Sequence, residues 1–395
     1  MKRTVRFLIA AAAALSALAG CTAKAPLSYE VVRSEMQRNP SAAHIDGLEG
    51  TLKWNYTTGL ELKAFLDVYG ARPTADILDY VDAWYDAIIA EDGTIGVNYK
   101  KSNYSTDHIC PGRTLFQLYD LTHKEKYRLA MDRLFEQVQE QPRTPEGGFW
   151  HKQIYPQQMW LDGLYMAQPF YAEYTARYAP DSLKAACFAD IAQHFLTVAA
   201  HTYDPATQLY RHAWDASHAM FWCDPETGQS DHAWGRALGW YMMALVEVLP
   251  VLPEETPGRE AMLDIFRQLV EVLPRYTDPE TGMWYQVLDR PGEEGNYVEA
   301  TASAMFVYAM LKGCRLGYVD VLLYARASYE KMLKTFVTRD AEGLVDLNRC
   351  CEVAGLGGKE NRRGDYTYYI NEKVRSNDPK GIGPLIWAAL EYERR

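Results

Sequence analysis

Asp278-Pro279-Glu280-Thr281-Gly282-Met283-Trp284-Tyr285 sets a turn signal directly against an apolar, aromatic run. Asp and Pro initiate the turn and Gly closes it at a backbone angle other residues resist. The arrangement recurs. Glu91-Asp92-Gly93-Thr94 runs into Ile95-Gly96-Val97, and Pro145-Glu146-Gly147-Gly148 into Phe149-Trp150. Asp204-Pro205-Ala206-Thr207 precedes Leu209-Tyr210, and Asp340-Ala341-Glu342-Gly343 precedes Leu344-Val345. Successive clusters lie about 55 to 75 residues apart, the length of two helices with their loops.

Between the clusters the apolar residues follow a 3.6-residue period, with little strand alternation. Amphipathic runs are read at 58–69, 113–119, 125–139, 160–174, 182–199, 234–249, 259–273, 298–311, 319–336 and 379–392. A helical pair repeated at this period fits about six times into the chain. No Pro/Ser-rich linker or shift in composition marks a second domain. These features predict an all-α fold, an (α/α)6 barrel of six helical hairpins, with the turn-plus-aromatic elements gathered at one rim.

The N-terminus reads as a targeting segment. Lys2, Arg3 and Arg6 precede an apolar stretch from Phe7 to Ala19 that is too short to span a bilayer. It ends in Leu18-Ala19-Gly20-Cys21, which resembles the lipobox of bacterial lipoproteins; an ordinary signal peptide with a chance cysteine is the alternative. The expected organisation is a signal peptide over 1–20, a tether over 21–30 and one domain over 31–395. Acylation of Cys21 would anchor the protein to the cell envelope by buried methylenes, facing the periplasm.

The full chain has 41 Lys and Arg against 52 Asp and Glu, a net charge of −11, and loss of residues 1–20 makes it more acidic. Such a chain is a poor partner for nucleic acid, and an anionic small substrate must be held by local cations. Cys110, Cys187, Cys223, Cys314, Cys350 and Cys351 lack metal-ligand spacing, and most of them are expected as buried free thiols. No phosphate loop, dinucleotide fingerprint or nucleophile elbow is present, so no metal or organic cofactor is expected.

Asp162 is a lone carboxylate in an apolar, aromatic helix start, Trp160-Leu161-Asp162-Gly163-Leu164-Tyr165-Met166. Either it caps the helix or it does chemistry. Lys152, Tyr155 and Trp160 precede it, and Asp107, also at a helix start, allows the same two readings. Arg211-His212-Ala213-Trp214-Asp215 places a base, an aromatic platform and an acid on one rim segment. In His232-Ala233-Trp234-Gly235-Arg236-Ala237-Leu238-Gly239-Trp240 an Arg stands between tryptophans. That suits a sugar carboxylate with indoles stacked on the ring, and equally a cation–π packing cluster.

Several stretches, taken in order, resemble the unsaturated rhamnogalacturonyl hydrolases of glycoside hydrolase family 105. They are Trp54–Gly59, Asp107 with Gly112-Arg113, Trp160–Met166, Trp234–Trp240, Cys351–Gly358, Tyr366–Ile370 and Asn377–Pro384. The resemblance implies an (α/α)6 barrel that releases a 4,5-unsaturated uronic acid from the non-reducing end of oligosaccharides made by polysaccharide lyases. It implies Asp162 as proton donor to C4 of the double bond, Asp107 as the assisting aspartate, and water adding at C5. It places substrate contacts at Tyr56, Lys152, Trp160, His212, Trp234, Arg236 and Trp240, with Lys152 and Arg236 the candidates for the uronate carboxylate. Two positions depart from the pattern: Pro111-Gly112-Arg113 follows Asp107 and His108, and Gly163 replaces a bulkier residue. A proton-donating Asp162 needs a raised pKa, and burial with the like charge of Asp107 is expected to supply it. The rival readings are an unsaturated glucuronyl hydrolase of family 88 acting on ulvan or glycosaminoglycan fragments, and a non-catalytic glycan-binding lipoprotein.

Overall fold

The computed structural model describes residues 25–394, so the expected signal peptide and the acylated Cys21 lie outside the described residues. The long helices are α1 (Leu27–Arg38), α2 (Tyr56–Ala71), α3 (Ala75–Ile88), α4 (Gly112–Thr122), α5 (Glu125–Glu140), α6 (Leu161–Tyr178) and α7 (Asp181–Thr202). They continue with α8 (Gly235–Val248), α9 (Arg259–Val272), α10 (Ala300–Arg315), α11 (Leu322–Phe336), the short α12 (Tyr366–Asn371) and α13 (Pro379–Glu393). Helix α1 starts inside the segment expected as a tether. The Ser28 hydroxyl donates to Glu393 at 2.5 Å, which binds this first turn to the last helix.

Each of α2, α4, α6, α8 and α10 packs on the next, α10 packs on α13, and α13 returns to α2. That closes an inner ring of six. Helices α3, α5, α7, α9 and α11 each pack outside the inner helix that precedes them, and α1 packs on α13. The sixth hairpin is therefore assembled from the two ends of the chain.

Residue chemistry sorts the two layers. In α8 nearly every side chain from Gly235 to Val248 is buried, and α10 is buried from Ala300 to Leu311. A helix apolar on all sides is stable only inside a core, where each large aliphatic side chain contributes about 1.5–3 kcal/mol. In α9, by contrast, Met262, Leu263, Phe266, Leu269 and Val270 form one buried stripe and charged residues face out. Small residues let the inner helices approach. A Cβ on Gly239 of α8 would lie 2.6 Å from the Met305 sulfur of α10.

The repeated turn clusters all fall where an outer helix hands over to the next inner one. Short antiparallel pairings form there, among them Ile89 with Ile95, Arg143 with Phe149, Thr277 with Trp284, and 337–339 with 345–347. The turn chemistry is as expected: Asp278 accepts from the Thr281 amide and hydroxyl at 2.8 and 2.7 Å, and Gly282 takes φ 70°. These connections lead into the N-terminal ends of the inner helices. A longer-range ladder pairs Gln158–Trp160 with Ala213–Asp215 and fixes the entry to α6 against the entry to α8. Cys110, Cys187, Cys223, Cys314, Cys350 and Cys351 are free thiols.

Candidate active site

Two adjoining cavities open at this rim. The inner one, about 130 Å³, is lined by Asp107, Lys152, Tyr155, Trp160, Asp162 and Arg362, with Tyr56, His151, Met166, Val353 and Ala354 completing its wall. The outer one, about 630 Å³, shares Tyr56, Asp107, Lys152 and Val353 with it and reaches out to Lys53, His108 and Ile154. Lining groups come from the N-terminal turns of α2, α6 and α13 and from the segment before α4. Helix N-termini carry partial positive charge, so this end of the barrel favours an anion despite the acidic chain.

Asp162 stands in the first turn of α6, whose N-cap is Trp160, and no side chain caps that end. The capping alternative is thus absent. Its Oδ2 lies 3.2 Å from His212 Nε2, in ion-pair range though poorly aligned for a hydrogen bond. His212 is wholly buried, and its Nδ1 is 2.7 Å from the Tyr369 hydroxyl. A line of three polar groups, Tyr369, His212 and Asp162, therefore runs from under the cavity to its wall. The expected rise in the Asp162 pKa does not appear. Burial raises it, but the neighbouring His212 and His151 outweigh burial and hold the carboxyl below its usual value. Asp107 was expected to push it up; its field is not among the main influences on Asp162.

Asp107 sits in the short turn Thr106–His108, ahead of α4 and not at its cap, which is Pro111. Its Oδ2 is 2.5 Å from Lys152 Nζ and its Oδ1 is 3.6 Å from His151 Nε2. Burial raises Asp107, and Lys152 and His151 more than reverse it, so it is firmly ionised. His151 itself is pushed down to about 4 by burial. Its ring stacks on Trp160 at 4.5 Å, and the Tyr155 ring also stacks on that indole at 5.0 Å. Trp160 is further pinned by an indole N–H donated to Gln158 at 3.1 Å.

Of the residues singled out from sequence, Asp162, Asp107, Tyr56, Lys152 and Trp160 meet on the inner cavity. His212, Trp234, Arg236 and Trp240 do not line it. Trp234 backs onto His212 at 4.8 Å, and Trp240 packs on Tyr165 at 4.8 Å and edge-on to Tyr56 at 6.4 Å. Arg236 is 1% exposed; it donates to the carbonyl oxygens of Cys351 and Glu352 and lies 4.7 Å over Trp234. Arg236 thus forms the cation–π pair and clamps the loop at 351–352. In the rim segment near His212, Arg211 pairs with Asp204 and Asp289, while Asp215 accepts from Ser217, Ala219 and Met220 to form a turn. Gly163 has a local cause: a Cβ there would come within 3.2 Å of His151 Nδ1. It makes room for the ring beneath Trp160. His108 faces the outer cavity.

Sequence reasoning missed His151, Arg362 and Tyr369. His151 adjoins Lys152 and was legible as a polar residue in an aromatic stretch. Arg362 follows the Gly-rich run Gly355-Leu356-Gly357-Gly358, the one local signal that the chain is shaped there.

Comparison with known proteins gives one consistent picture. Residues 27–395 match the family model for Glycosyl Hydrolase Family 88. A solved glycoside hydrolase from family 105 of C. acetobutylicum is 40% identical and superposes over 94% of this chain and 100% of its own, with TM-score 0.88. The unsaturated rhamnogalacturonyl hydrolase YesR of Bacillus subtilis is 26% identical over 67% of this chain and 72% of its own. An unsaturated glucuronyl hydrolase from Bacillus sp. GL1 shares the fold, with TM-score 0.65 and 13% identity over 93% of this chain and 95% of its own.

Proposed function

As the chain belongs to the glycoside hydrolase family 88 and 105 group and is a glycosidase, we propose that it removes a 4,5-unsaturated uronic acid from the non-reducing end of lyase-generated oligosaccharides. The galacturonate type, as in rhamnogalacturonan fragments, is our reading, supported by the likeness to YesR. The observation that carries it is the inner cavity of about 130 Å³, with two carboxylates in different settings. Asp162 has an imidazole partner that can supply a proton, and Asp107 is locked ionised by Lys152. Environments that separate two carboxylates assign them separate roles.

The chemistry follows from those roles. A proton passes from Asp162 to C4, and the C4=C5 π electrons form the new C–H bond. The cationic charge at C5 is shared with the ring oxygen, and water attacks C5 while its proton returns to Asp162. Asp107 orients that water. The hemiketal at C5 opens, the aglycone leaves from C1, and one water is consumed overall. The Asp162 carboxyl is held low, and His212 Nε2, 3.2 Å away, is placed to exchange a proton with it. A uronate carboxylate entering the cavity adds negative charge, which favours the protonated form of Asp162. Because this is addition to a double bond, carboxylate separation does not set a retaining or inverting outcome.

The conjugated enoate absorbs in the ultraviolet and hydration bleaches it. Against a panel of lyase-generated disaccharides, the expected result is loss of absorbance, fastest for an unsaturated galacturonate linked to rhamnose. Faster loss with glycosaminoglycan or ulvan disaccharides would assign the glucuronate type instead. No loss with any of them would overturn the hydrolase reading. From the first 21 residues of the sequence we also infer a lipid anchor at Cys21, on the periplasmic face of the envelope.

A further inference from the structure

We propose that Arg362, which neither turn periodicity nor the family resemblance singled out, is the residue that receives the substrate's uronate carboxylate; this rests on the uronyl hydrolase reading. The argument is by charge partners. Three side chains on the inner cavity wall can carry positive charge: His151, Lys152 and Arg362. Burial keeps His151 neutral near pH 7, and Lys152 is neutralised by Asp107 at 2.5 Å. Arg236, the other candidate from sequence, is turned away onto two backbone carbonyls. Arg362 donates Nη2 to the Tyr155 hydroxyl at 3.1 Å and Nε to the Gly357 carbonyl at 3.2 Å. Among the described residues it forms no ion pair. Glu372 feels its charge but is engaged by Tyr368, and the neighbouring Arg363 is the one that faces Asp365.

The loop is shaped around this guanidinium. Gly357 and Arg362 exchange backbone hydrogen bonds at 2.8 and 3.1 Å, making a small closed turn. A Cβ on Gly355 would lie 2.7 Å from Arg362 Nη1, and one on Gly358 3.2 Å from both Nη2 and the Tyr155 hydroxyl. Gly358 also sits at φ 72°. The absent side chains leave the planar fork a slot against the backbone, and Tyr155, itself stacked on Trp160, fixes its tilt. Among the described residues Nη1 makes no hydrogen bond. A preorganised guanidinium on a cavity wall is suited to a carboxylate, which it binds with two near-parallel N–H···O bonds. Asp107 and Asp162 on the same wall make that cation necessary, since an unshielded uronate would be repelled.

The test compares an unsaturated uronide with its methyl ester, which has the same ring and no negative charge. Wild type should prefer the free acid. In Arg362→Gln, kcat/KM on the free acid should fall roughly 100-fold, mainly through KM, with little change on the ester, so the preference collapses. Arg362→Lys should recover part of it. Gly355→Ala keeps the charge but displaces the fork, and should reproduce the loss. Titration calorimetry with galacturonate and its methyl ester gives the same comparison without turnover, so an inactive wild type would refute the hydrolase reading yet still test Arg362. Equal losses on acid and ester, or an unchanged preference, would overturn the assignment.

Discussion

Asp162→Asn should lower kcat by about a thousandfold or more while KM stays within a few-fold of wild type, since general acids contribute 10²–10⁴ and asparagine offers no transferable proton. The substitution is close to isosteric. Asp162 caps nothing and lies in the first turn of α6, so its loss leaves the fold's hydrogen bonds in place. An unchanged melting temperature with lost turnover is the expected pair of observations. The pH profile carries a second signature. The carboxyl is held below the ordinary value by the neighbouring His212, 3.2 Å away, against the push of burial. The two groups are close enough to interact, so the pair, not either residue alone, sets the profile. Activity should fall as pH rises and the proton that Asp162 must deliver is lost. Near-wild-type turnover in Asp162→Asn would remove Asp162 from the mechanism.

Asp107→Asn is expected to cost about 100-fold or more in kcat, by a different route. Its carboxylate holds Lys152 at 2.5 Å and faces His151 at 3.6 Å. The amide cannot neutralise Lys152, whose freed charge then adds to the attraction for an anionic substrate. KM should therefore hold or fall while kcat drops, a split that general disruption of the cavity would not give. Lys152→Met in the same background should cancel the KM effect without restoring kcat. A rise in KM with kcat intact would show that Asp107 binds substrate and takes no part in the chemical steps.

The fold was largely legible because each inner helix is announced by a turn that chemistry makes conspicuous. Asp278 to Gly282 specifies its turn by side chains within five residues, and Met262, Phe266 and Leu269 specify an outer helix by period. Local rules suffice for such elements. Helix α3 was passed over although Ile77, Val81, Trp84, Tyr85 and Ile88 keep helical spacing. Helix α1 was harder: its buried face includes Ser28, Ser34 and Glu35, and its partner α13 lies at the far end of the chain. No window of sequence contains that contact.

The site divides in the same way. Asp107, Lys152, Trp160 and Asp162 stood out as polar or aromatic residues at helix starts, and those starts share a rim. Arg236 stays ambiguous in sequence because an Arg between two tryptophans looks alike whether it meets an anion or a carbonyl. The carbonyls that decide it belong to Cys351 and Glu352, more than a hundred positions later. The Asp162 titration was misjudged for a related reason. His212 and Tyr369 reach it from separate segments, and their arrangement arises only when the barrel closes.

The most direct measurement of the central claim is the position of solvent label in the released sugar. With an unsaturated galacturonate disaccharide turned over in deuterium oxide, deuterium should appear at C4 of the keto acid product, and in ¹⁸O water the oxygen should enter at C5. Label at C1 alone, with C4 unlabelled and the enoate absorbance retained in the freed sugar, would be ordinary glycosidic cleavage and would contradict the account.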